Sequence, residues 1–143
     1  MNAMETEAKR TPRTTVMVVD DELWLRRSFE RILGEDGYTV VSVDSGRSAL
    51  AIATSLRPEL IVLDILMPDM DGLATLTELR RRGVKSVIVV LTALATVQSA
   101  RQAMLLGADD FITKPFDLNV LKLVLRDGLA ARRSSESEES CGL

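Results

Sequence analysis

Five short apolar runs alternate with five amphipathic stretches, and this alternation limits the fold more than any other feature of the chain. Val16-Met17-Val18-Val19 is wholly apolar, as expected of a strand buried on both faces. Tyr38–Val43, Leu60–Leu63, Val87–Leu91 and Phe111–Thr113 read as four more strands. Between them apolar residues recur at helical spacing. Leu25, Phe29, Ile32 and Leu33 mark a first helix, and Ala49, Leu50, Ala53 and Leu56 a second. Leu73–Arg82 is a third, Val97, Ala100 and Met104 share one face of a fourth, and Leu118, Leu121, Val124 and Leu125 mark a fifth. Gly34 and Gly37 close the first helix, Asp44 or Ser45 caps the second, Pro58 stops it, and Gly83 and Gly107 end the next two. Parallel strands need helical crossovers, so five β-α units in strict succession imply a parallel sheet with helices on both faces. The predicted fold class is α/β, a three-layer doubly wound sheet of five strands with five helices.

The 143 residues suit one domain with a real core. Residues 1–13 read as a polar arm, 14–131 as the folded unit, and 132–143 (RRSSESEESCGL) as a Ser/Glu-rich tail, disordered or opening a linker. No run approaches the roughly 18 apolar residues that span a bilayer. A net charge of −3 offers no electrostatic footprint for nucleic acid. There is no histidine, which excludes Ser-His-Asp and Cys-His chemistry and any His-ligated zinc. The one cysteine, Cys141, gives no disulfide framework, which suits a cytoplasmic setting.

In open parallel sheets, ligands bind beyond the carboxyl ends of the strands. Strand one ends in Asp20-Asp21, strand three in Asp64, strand four in Thr92 and strand five in Lys114-Pro115. Each feature has an ordinary reading alone: an acidic pair caps a helix, and Lys-Pro makes a turn. Together the topology gathers three carboxylates, a hydroxyl and an ammonium at one edge. Crowded carboxylates repel, and a divalent cation relieves that conflict. Oxygen ligands without His or Cys favour a hard ion, with Mg²⁺ the expected one.

These residues resemble a known family. Val-Val-Asp20-Asp21-Glu22, Asp64-Ile-Leu-Met-Pro68-Asp-Met-Asp71-Gly72, Leu91-Thr92-Ala93 and Lys114-Pro115-Phe116 are similar to the motifs of response-regulator receiver domains, and Gly107-Ala108-Asp-Asp-Phe111 adds to the match. The resemblance implies a flavodoxin-like strand order of 2-1-3-4-5. It implies that Asp64 is the phosphoacceptor, that Asp21 binds Mg²⁺ directly and Asp20 mostly through water, and that the Leu66 carbonyl completes the protein's ligands. Lys114 and Thr92 would contact the phosphoryl group, Phe111 would turn inward with it, and the bond before Pro115 would be cis. Leu66 and Leu94 would flank the path of a hydrolytic water. The implied partners are a histidine kinase or phosphotransfer protein as donor, and an output domain or downstream protein reading the face of helix four, strand five and helix five. Homodimer formation on phosphorylation belongs to the same set. No direct contact with nucleic acid or membrane is implied.

Three other readings compete. A haloacid-dehalogenase-like phosphatase also uses an Asp nucleophile and Mg²⁺, but its nucleophile ends strand one in Asp-x-Asp, whereas this chain has Asp20-Asp21-Glu22. A flavodoxin needs a Ser/Thr/Gly-rich phosphate loop where this chain is acidic. A receiver-shaped scaffold that is never phosphorylated would not need the full set of acids, Thr92 and Lys114.

Overall fold

The computed structural model describes residues 13–65, 72–93 and 97–141. Five strands, β1 (Thr15–Val19), β2 (Thr39–Val43), β3 (Leu60–Asp64), β4 (Val87–Thr92) and β5 (Asp110–Thr113), form one sheet in the order β2-β1-β3-β4-β5. All four pairings are parallel. The helices between and after them are α1 (Leu23–Glu35), α2 (Gly46–Leu56), α3 (Gly72–Arg81), α4 (Val97–Leu105) and α5 (Leu118–Cys141). The fold class and strand order are those expected.

Strand residues point alternately to the two faces, so each strand feeds two cores. Met17, Val19, Ile61, Leu63, Ile88 and Val90 pack with α2, α3 and α4 through Ala49, Leu76, Leu79 and Ala103. Val16, Val18, Val62, Val89 and Leu91 pack with α1 and α5 through Phe29, Leu33, Leu121 and Leu125. Burying one such Leu or Phe fully is worth about 1.5–3 kcal/mol. This double burial explains why the strands read as unbroken apolar runs.

Local chemistry sets the element ends. Ser45, not Asp44, caps α2, its Oγ accepting from the Ser48 N–H at 3.2 Å. Gly37 and Gly107 adopt φ of 95° and 112°, conformations that favour glycine. Gly34 lies inside α1, which runs on to Glu35. Among the described side chains of α4, Ala100 and Ala103 are buried while Met104 is exposed, so the expected Met104 face is turned by about one residue.

The largest departure is at the carboxyl end. A polar tail was expected from Arg132, yet α5 stays helical to Cys141. No Pro or Gly interrupts residues 129–141, and Arg, Ser and Glu are tolerable helix formers. The helix is also held beyond Ala131. Arg132 donates to the Glu59 carbonyl at 3.1 Å and Arg133 to the Thr14 hydroxyl at 3.4 Å. Among the described residues, no helix is long and apolar enough to cross a membrane.

Candidate functional site

The register of the sheet builds the site. Val19 pairs with Leu63, so Asp20, the next residue, lies across from Asp64. Asp64 pairs with Leu91, which puts Thr92 one step further along the neighbouring strand. Thr92 pairs with Thr113, and the Lys114 N–H donates to the Thr92 carbonyl at 2.8 Å, fixing where the lysine leaves the sheet. Residues as far apart as 20 and 114 thus meet at one sheet edge.

The side chains converge. Carboxylate oxygens of Asp20, Asp21 and Asp64 lie within 4.8 Å of one another. The Lys114 ammonium is 3.1 Å from Asp64 Oδ2 and 3.4 Å from Asp20 Oδ2. Asp20 is 0 % exposed and Asp64 3 %, while Asp21 faces solvent. Burial pushes the Asp20 carboxyl above its ordinary value, although the Glu22 N–H at 2.9 Å and the Lys114 charge pull it down. Burial alone would lower the Lys114 ammonium. Its hydrogen bond and charge attraction to Asp64, then those to Asp20, outweigh that and raise it. The lysine therefore stays a cation between two buried acids.

Neighbours hold these groups in place. Arg26 of α1 donates to the Asp20 carbonyl at 2.7 Å. The Lys114–Pro115 bond is cis, as expected. The next residue, Phe116, stacks on Phe29 of α1 with ring centroids 5.9 Å apart and planes 12° from parallel, which anchors the segment following the lysine. Gly72, at the start of α3, donates to the Ile65 carbonyl at 3.2 Å and lies so close that an added Cβ would sit 2.1 Å from Ile65 Cα. Thr92 is buried, and Phe111 is 37 % exposed.

The donor set suits a hard cation. It offers carboxylate oxygens without sulfur or imidazole, two of them buried beside a lysine and one open to water.

Residues 16–126 match the family described as the response regulator receiver domain. The chain belongs to that family.

Relatives of this receiver agree. Response regulator MprA of Mycolicibacterium vanbaalenii is 40% identical over 111 residues, 78% of this chain and 48% of that protein. Regulatory protein AtoC of Escherichia coli (strain K12) is 34% identical over 114 residues, 80% of this chain and 25% of that protein. The crystal structure of NtrX from Brucella abortus superposes with a TM-score of 0.84 at 30% identity, over 91% of this chain and 30% of that one. The chain thus spans half or less of the length of these relatives. It is a receiver domain of two-component response regulators, a signalling module.

The receiver fold brings together Asp20, Asp21, Asp64 and Lys114, with Thr92 on the adjacent strand end, as the sequence predicted. Leu66, expected to lend a carbonyl to the metal, and Leu94 lie outside the described residues. Sequence reasoning missed Arg26, the stacking of Phe116 on Phe29 and the close approach of Gly72. Phe116 and Gly72 left a signal as the residues closing the Lys114–Phe116 and Asp64–Gly72 motifs, and Arg26 left none.

Proposed function

We propose that the receiver accepts a phosphoryl group on Asp64, in a Mg²⁺-dependent reaction, from a phosphohistidine on a partner kinase or phosphotransfer protein. The observation that carries this reading is the Lys114 ammonium 3.1 Å from a nearly buried Asp64 carboxylate, inside a cluster of three acids. These 143 residues contain no histidine, so the donor imidazole lies outside them.

An Asp64 oxygen attacks phosphorus in line and forms the O–P bond as the P–N bond to the donor imidazole breaks. The imidazole leaves with the electron pair and takes up a proton. Charge spreads over the three remaining phosphoryl oxygens. Lys114 is already beside the attacking carboxylate and needs little movement to meet that charge. The Thr92 hydroxyl would take a second phosphoryl oxygen. Asp20 and Asp21 would hold Mg²⁺, with Asp64 and the Leu66 carbonyl completing the set. When bound, the ion supplies positive charge that lets three acids and a phosphoryl group share one cleft.

Phosphorylation adds roughly one to two negative charges at a single point. Thr92 moving toward that charge would vacate space for the Phe111 ring to enter. The surface made by α4, β5 and α5 supports this output route. It exposes Met104, Leu105, Phe111, Val120 and Leu123, an apolar set that suits a downstream protein, an output domain or a second copy. We place this exchange in the cytoplasm.

The reading is tested by treating the receiver with acetyl phosphate and Mg²⁺ and mapping the modified peptide. The expected acyl phosphate lies on Asp64. Modification of Asp20 or Asp21 instead would contradict the assignment, and would favour strand one as the carrier of the nucleophile, as in the dehalogenase-like phosphatases.

A further inference from the structure

The opposite end of the sheet carries a second polar cleft, unrelated to the phosphoacceptor site. It opens where α2 and α3 end and where β3 and β4 begin, roughly 16 Å of strand away from Asp64. Its volume is about 460 Å³, a size suited to a small ligand. Four of its lining residues are cations, namely Arg57, Arg82, Lys85 and Arg132, and none is an acid.

The four cations are not equally engaged. Arg82 pairs with Glu78 at 3.0 Å and donates to the Leu50 carbonyl at 3.3 Å. Arg132 donates to the Glu59 carbonyl. Arg57 and Lys85 are exposed and have no ion pair or side-chain hydrogen bond among the described residues. Arg57 also occupies the left-handed C-cap of α2, with φ 49° and ψ 57°, where Gly or Asn is the usual residue. A long charged side chain at a position that favours a short one calls for a further reason.

One bland explanation is that these cations only balance the partial negative charge at the two helix ends. Each helix end carries about half a charge. Two ends and Glu78 together therefore offset about two of the four cations, and a net positive cleft remains. Arg57 and Lys85 do not bond the terminal carbonyls, as such balancing groups commonly do.

We propose that this cleft binds a small molecule bearing two or more phosphate groups. Arg57 and Lys85 are the two uncommitted contacts, with Arg82 and Arg132 contributing charge from fixed positions. A multiply charged anion engages several cations at once, whereas single surface pairs contribute little. The acidic cleft around Asp64 would repel the same ligand, so the two ends of the sheet select different chemistry.

The test is a titration of the isotopically labelled receiver with sodium tripolyphosphate, and separately with ATP, in EDTA and followed by amide NMR. Saturable shifts are expected at Arg57, Gly83, Lys85 and Ser86, with Asp20 and Asp64 unmoved. The double variant Arg57→Asn, Lys85→Gln keeps a residue suited to the left-handed position and should retain the parent spectrum elsewhere. Its affinity for tripolyphosphate should fall about tenfold or more. Equal binding of ATP and tripolyphosphate would assign the site to a phosphate chain alone, and tighter ATP binding would assign it to a nucleotide. Absence of saturable shifts at these amides, or undiminished binding by the double variant, would overturn the proposal.

Discussion

The Lys114 ammonium bridges Asp64, at 3.1 Å, and Asp20, at 3.4 Å, so one cation from the end of β5 ties together the ends of β3 and β1. Both acids are buried and neither has bulk water to stabilise its charge. The lysine thus balances the two acids and, in the proposed reaction, would be the cation that meets the phosphoryl group.

Replacing Lys114 with Ala should separate these roles. Metal binding should survive, since the three carboxylates remain. The link between phosphorylation and the shape change should be lost, because a charge-assisted contact of order 1.5–3 kcal/mol is missing. Backbone NMR shifts around Phe111, recorded with and without phosphoryl group, measure this directly. A full parental response in the variant would remove Lys114 from the switch.

Gly72 is predicted to tolerate no side chain. An alanine Cβ there would lie 2.1 Å from Ile65 Cα and 2.7 Å from the Asp64 carbonyl oxygen, both backbone atoms that cannot swing aside. Gly72→Ala should lose about 1–3 kcal/mol or more of stability, read from the urea midpoint. An unchanged midpoint would show that the backbone near Asp64 relaxes freely.

Much of this fold was legible in the sequence because burial on both faces leaves unbroken apolar runs, as at Val16–Val19 and Val87–Leu91. The acids and the lysine were legible because an open parallel sheet gathers strand ends. Long-range contacts with no local pattern were not. Arg80 shows why. Its guanidinium donates to the carbonyls of Gly107, Val84 and Ser86 and pairs with Asp109 at 3.0 Å, joining α3 to the starts of β4 and β5. In sequence it is one of three consecutive arginines, Arg80-Arg81-Arg82, and nothing local singles it out. The extent of α5 was missed for a related reason. The contacts of Arg132 and Arg133 lie 73 and 119 residues away.

Tyr38 gives a pH prediction. Burial, and then the nearby Asp36 charge, raise its phenol above the ordinary value of 10.0, against the opposing pull of Arg126 and Arg133. A folded value above the unfolded one means that the folded state binds the proton more tightly. This contribution is complete below pH 10 and is lost as the pH rises through the folded value. Tyr38→Phe should therefore show a shallower fall of urea stability above about pH 10 than the parent. Identical slopes in the two proteins would contradict it.

In the proposed reaction Asp64 alone carries the phosphoryl group and needs a divalent cation to take it. Intact-mass measurement after incubation with acetyl phosphate tests this most directly, comparing the parent with Asp64→Asn, each with Mg²⁺ or with a chelator. One added phosphoryl group is expected on the parent with Mg²⁺ and none in the other three samples, while Asp64→Asn keeps the parental fold by circular dichroism. Full labelling of Asp64→Asn, or equal labelling of the parent in chelator, would contradict it.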